Sequence, residues 1–176
     1  EPWGLRGDRR WMLVDDEGGA VTIRERRGMV LLHPELRADG GLVVRDLSGS
    51  GLAPLTVEAP SGQEHVPVSL FGNTPFLATP AADEAHEWFS KAVGEPVRLV
   101  HADDPSRRRA NPERTRTVVP MAFADGYPLH LTTEESLADL NAQIATGPMA
   151  DQGPLPMVRF RPNIVVAGAD PWADDG

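Results

Sequence analysis

Before Pro80 the apolar residues come only in short runs, each closed by glycine, serine or proline, and this punctuation is what most constrains the fold. The chain carries 17 Gly and 17 Pro in 176 residues. That density fits a turn-rich, sheet-dominated protein better than a helical bundle. Met12–Val14 reads as a strand, 15–19 as a turn and Ala20–Ile23 as the return strand of a hairpin. Gly28–His33 reads as a further strand, followed by a turn at 38–41. Leu42–Val44, Leu55–Val57 and Val66–Phe71 continue the pattern. Such spacing predicts a small antiparallel barrel or sandwich.

The character changes near Pro80. From Asp83 to Gly94, the residues Ala85, Trp88, Phe89, Ala92 and Val93 recur at helical spacing, and Gly94 can end the helix. Val97–His101 reads as a strand, and Asp103–Pro120 as an exposed loop or linker. A second helix runs to Ile144, capped by Thr132 or Thr133; Thr132 with Glu135 has the capping-box spacing. A loop over 147–156 leads into a last strand, Arg161–Ala167. The fold class expected is mainly β with a few helices (α+β), the helices lying outside a barrel-like unit. No internal repeat is present.

The net charge is −9, with 26 acidic residues against 17 basic ones. That argues against a nucleic-acid or anionic-membrane surface, which wants a basic face, but leaves room for a local basic pocket. With no cysteine, this chain can form no disulfide, zinc ribbon or iron–sulfur site. No apolar run approaches membrane-span length and nothing resembles a signal peptide, so the expected location is cytoplasmic. Glu1 is not an initiator methionine, which points to residues upstream.

Several clusters could carry chemistry. Arg9, within Gly7–Trp11, is either part of a solvated surface turn paired with Asp8 or an anion ligand in a cleft. Arg107, Arg108, Arg109, Arg114 and Arg116 read first as a solvated loop, without the aromatics that base stacking needs. At most they lend one arginine to a phosphate. Asp125, Gly126 and Tyr127 interrupt an apolar stretch just before the second helix. They form either a simple turn or a place where backbone N–H groups meet a ligand. The five histidines have no metal-ligand spacing, and Asp170, Asp174 and Asp175 lack the pattern of a calcium loop. Near the C-terminus, Arg159, Arg161 and Asn163 precede the apolar run Ile164–Val166. Guanidinium suits phosphate, and an amide suits the edge of a heterocycle. No dinucleotide fingerprint, phosphate loop or nucleophile elbow is present.

Three segments together carry a family resemblance: G-L-R-G-D-R-R-W-M-L-V-D, F-A-D-G-Y-P-L-H-L-T-T-E-E-S-L-A-D-L-N and R-F-R-P-N-I-V-V-A-G-A-D-P-W-A-D-D. In this order they resemble the MOSC family, in the branch with an extra N-terminal β-barrel domain that includes the amidoxime-reducing components. The resemblance implies a MOSC N-terminal barrel-like domain over 1–105, a linker over 106–120 and the first part of a MOSC domain over 121–176. It also implies binding of a pyranopterin molybdenum cofactor, with Arg9 at the phosphate, Asp125, Gly126 and Tyr127 at the pterin, and Arg161 and Asn163 from the R-P-N signature. Arg9, Asp125, Arg161 and Asn163 are expected to share one cleft. The same resemblance carries an expectation of pyridoxal phosphate binding, for which no residue is singled out.

The family's Lys-Ser pair and its cysteine ligand to molybdenum have no counterpart in these residues. No residue here is a catalytic or metal-ligand candidate, and the 176-residue chain expressed alone is expected to hold no molybdenum. The activity implied is a molybdenum-dependent oxidoreductase reducing N-hydroxylated or similar N–O compounds, served by a small-molecule substrate and an external electron-donor protein. The alternative is a module that carries or transfers the cofactor or sulfur without turnover, and a third possibility is a β-barrel interaction domain with a degenerate pocket.

Overall fold

The computed structural model describes residues 1, 3–60, 62 and 64–175; Gly176, the last residue of the C-terminal segment, lies outside them. The chain divides into two compact units, Glu1–Gly126 and Tyr127–Gly176. Ten strands and two longer helices are seen among the described residues, so the fold is mainly β with helices added, as the sequence predicts.

The first unit is built on an antiparallel five-stranded sheet in the order β2-β1-β8-β7-β6. Its strands are β1 (Trp11–Val14), β2 (Ala20–Val21), β6 (Val66–Val68), β7 (Phe76–Pro80) and β8 (Arg98–His101). Register pairs Met12 with Val100 and Leu13 with Leu99, so neighbouring residues point to opposite faces. Val14, Val68, Ala78 and Val100 gather on one face with Phe123. Leu13 and Leu99 gather on the other with Trp88 and Phe89 of helix α1 (Asp83–Val93). That second face is also covered by Leu42, Val44, Leu55 and Val57. They belong to a separate antiparallel sheet, β3 (Leu32–Leu36), β4 (Leu42–Asp46) and β5 (Leu55–Val57).

The five-stranded sheet curls until its edges meet. Ala20, opening β2, donates its N–H to Ser69 O at 3.0 Å, and Ser69, just past β6, donates to Gly18 O at 2.8 Å. Gly18 makes this seam possible: its φ is +85°, and an added Cβ would stand 2.4 Å from the Pro67 carbonyl oxygen. Closure removes the exposed edges that an open sheet would offer to other chains.

Two local expectations need correction. Gly28–His33 is not one strand: Arg27–Leu31 forms a 3₁₀ turn, and β3 begins at Leu32. β3 runs on through Pro34, which an edge strand tolerates because its missing N–H need not feed a neighbour. The second helix, α2 (Glu134–Thr146), is capped by Thr133, whose hydroxyl accepts the Ser136 N–H at 3.0 Å. Glu135 does not close a box with Thr132; it accepts the Gly168 N–H at 2.6 Å instead. In the second unit β9 (Leu131–Thr133) pairs in parallel with β10 (Ile164–Val166). No helix among the described residues is long and apolar enough to cross a membrane.

Candidate functional site

In the first unit, Arg9 sits in a left-handed conformation, φ 49°, on a turn just before β1. Its carbonyl accepts the Phe123 N–H at 2.9 Å, and its guanidinium is paired with Asp8. The Phe123 bond brings the segment 122–126 beside Arg9, so Arg9 and the Asp125–Gly126 turn occupy one neighbourhood of this unit. Asp125 and Gly126 are exposed, and a Cβ added at Gly126 would meet nothing within 4 Å. A ligand can approach that backbone closely.

The residue that shapes this turn is Arg108, which the sequence reading leaves in a solvated loop. Its side chain instead donates to the carbonyls of Ala122 at 2.8 Å, of Ala124, and of Asp125 at 2.8 Å. The guanidinium also lies 5.3 Å from the centre of the Phe76 ring. A planar cation with five fixed donors is the one side chain that can hold three diverging carbonyls. Burial pushes its pKa down from the ordinary arginine value, against the pull of Asp125. Arg107 is likewise held, 2.7 Å from Asp103. Thr79 donates to the same carboxylate at 2.6 Å, and these bonds keep Asp103 below the usual carboxylate range although burial pushes it up. Residues 105–121 are therefore fastened to the first unit: Ala110 and Met121 are buried, and Arg109 bridges to Pro120. The only clue in the sequence was the unbroken run of arginines, which cannot say which cation meets carbonyls and which meets water.

In the second unit, Asn163 and His130 tie the start of the parallel pair together. His130 N–H donates to Asn163 Oδ1 at 2.9 Å, and Asn163 N–H returns to His130 O at 2.8 Å. Arg161 stands two residues earlier with φ 52°, closing the 3₁₀ turn Met157–Phe160. Tyr127 opens the unit and is exposed. Asp174 is not a solvated acid: Ser136 donates to its Oδ1 at 2.5 Å, and that bond foremost holds its carboxyl below the usual range. Trp172 N–H donates to the Ser136 hydroxyl at 2.8 Å, which anchors the segment after Gly168 to the start of α2. Among the described residues no three acidic, histidine or cysteine side chains are grouped to hold a metal ion.

A curled barrel unit followed by a strand–helix unit puts the chain in the mainly β, α+β class of protein. The comparisons give that class a family. Residues 1–96 match the MOSC N-terminal beta barrel domain and residues 119–176 match the MOSC domain. The chain belongs to the MOSC family. It is 29% identical over 178 residues to mitochondrial amidoxime reducing component 2 of Rattus norvegicus, covering 96% of this chain and 48% of the relative. Mitochondrial amidoxime-reducing component 1 of Homo sapiens is 28% identical, covering 98% of this chain and 50% of the relative. The molybdenum cofactor sulfurase of Oryza sativa subsp. japonica is also 28% identical, over 98% of this chain and 22% of the relative. The chain thus spans about half the length of the amidoxime-reducing relatives and about a fifth of the sulfurase.

Proposed function

We propose that the whole protein is a molybdenum-cofactor-dependent oxidoreductase that removes oxygen from N-hydroxylated or related N–O compounds. The observation that carries this reading is the likeness to amidoxime-reducing components through 96% or more of the chain, with both family modules in order. The reaction is balanced as an amidoxime plus two electrons and two protons giving an amidine and water. The cofactor, when bound, supplies the two-electron centre. In this reading the electrons come from an external donor protein; these 176 residues include no cysteine and so hold no iron–sulfur cluster themselves.

The residues fit the organic part of that cofactor. A guanidinium suits its phosphate, the chemistry that Arg9 has in the first unit and Arg161 in the second. The open backbone at Gly126, beside Asp125 and Tyr127, admits the flat pterin. Asn163 Oδ1 accepts from His130, and an amide side chain suits the edge of a pterin. No thiolate for the metal comes from these residues, so the 176-residue chain alone holds no molybdenum. Pyridoxal phosphate forms no part of the proposal: its Schiff base wants a lysine in a cleft. The one lysine, Lys91, lies exposed on α1, 3.7 Å from Glu87.

The test is molybdenum analysis of the protein from the intact gene, made in a cofactor-competent host, followed by reduction of benzamidoxime with a chemical electron donor. Stoichiometric molybdenum with benzamidine formation is expected, and Arg9→Gln and Arg161→Gln should lower the metal content. Metal without turnover would favour the second reading, a module that carries cofactor or sulfur, which the sulfurase likeness supports. Absence of molybdenum would sink the first.

A further inference from the structure

Beside the turn that Arg108 holds, the first unit carries a cleft of about 660 Å³, within the range of small-molecule sites. Its walls differ in chemistry. Phe76, Pro75 and Pro112 give apolar surface, while Asn73 and Asn111 bring amides. Three arginines line it, but two are committed elsewhere: Arg107 to Asp103, and Arg108 to three carbonyls. Arg109 has no side-chain hydrogen bond or ion pair among the described residues, and it is exposed at the cleft. Its backbone is fixed by the bridge to Pro120, where Ala110 N–H donates to Val119 O at 3.0 Å. The cation is therefore aimed from a rigid base rather than from a mobile loop.

We propose that this cleft binds a small, flat organic monoanion, an aromatic or heteroaromatic carboxylate, with the ring against Phe76 and Pro112 and the carboxylate on Arg109. One uncommitted guanidinium matches one carboxylate as a two-bond fork. Asp125 also lines the cleft, and its negative charge works against a dianion such as phosphate. A neutral ring gains only the apolar walls and leaves Arg109 to water. The cleft shares Asp125 and Gly126 with the turn that the proposed function gives to the pterin, but a carboxylate there needs no cofactor for its binding.

The experiment titrates the ¹⁵N-labelled 176-residue chain with benzoate, benzamide and inorganic phosphate and follows backbone amides by NMR. Benzoate should shift Asn73, Asn111 and Gly126 with a dissociation constant of about 1 mM, as befits so small a ligand. Benzamide and phosphate should each bind roughly tenfold more weakly. Arg109→Gln should weaken benzoate roughly tenfold and leave benzamide unchanged, whereas Arg116→Gln, on the exposed part of the same segment, should change neither. Equal binding of benzoate and benzamide by the unsubstituted chain would overturn the proposal without recourse to any variant. Benzoate affinity unmoved in a folded Arg109→Gln, or shifts confined to other residues, would overturn it too. Benzoate binding by this chain, together with absence of molybdenum from the protein of the intact gene, would uphold this site while counting against the redox reading.

Discussion

Single side chains do more in this chain than their types advertise. Arg108 is the sharpest case. Arg108→Met should destabilise the first unit by about 2–4 kcal/mol, since three carbonyls lose a charged donor and a partly buried cavity opens. Arg108→Lys should recover only part of that, because one ammonium cannot fan out to carbonyls of Ala122, Ala124 and Asp125 together; urea unfolding measures both. Two histidines make stability depend on acid. His101 is buried against Trp11, ring centres 4.4 Å apart, beside Arg10; burial foremost, then that arginine, lowers its pKa to about 4. His86 accepts the Leu99 N–H on Nδ1 at 3.1 Å, and burial lowers its pKa as well. Both groups are neutral when folded and protonate more readily when unfolded. The contribution of His101 is therefore whole above pH 6.5 and falls as pH drops from there towards about 4, and that of His86 falls in the same direction. The loss at pH 4 should reach ~2–3 kcal/mol, and His101→Phe should flatten that slope in urea titrations across the range.

Among the elements, agreement with the sequence follows the reach of the signal. The hairpin at β1 and β2, the strand β8 and helix α1 were legible because their apolar periodicity and turn residues are local. Gly94 adopts the left-handed conformation, φ 85°, that its place after α1 implies. The 3₁₀ turn at Arg27–Leu31 was not legible, since an apolar run of that length reads equally as a strand. The sequence left the cap of α2 open between adjacent threonines; Thr133 takes it, and Glu135, which has the box spacing to Thr132, accepts instead from Gly168, 33 residues away. Of the candidate site, the residue types and the exposed turn at Asp125–Gly126 could be read. The Arg108 clasp could not, because long-range carbonyls leave no pattern. Thr133→Ala removes the cap and should cost about 1 kcal/mol of thermal stability in the second unit. It should also loosen the Asp174 segment, visible as loss of the indole signal of Trp172, whose Nε1 donates to Asp139 at 2.8 Å.

At the scale of the whole chain, the net charge of −9 is uneven, because five arginines fall between 107 and 116. An overall acidic protein therefore still presents a cation-lined cleft, so a net charge says nothing about one site. The barrel's closure depends on one glycine. Gly18→Ala should destabilise the first unit by about 2–4 kcal/mol, from the left-handed backbone and the Pro67 carbonyl it would strike; a lowered melting temperature with the second unit's spectrum intact is the expected outcome. The seam at Ser69 has a consequence in time as well. Two backbone bonds join the edges there, where β1 and β8 are joined along four residue pairs. Deuterium should therefore replace the amide protons of Ala20 and Ser69 well before that of Val100, which faces Met12 in that pairing. The barrel breathes by unzipping at Gly19 and Ser69, and the strands on either side stay shut while it does.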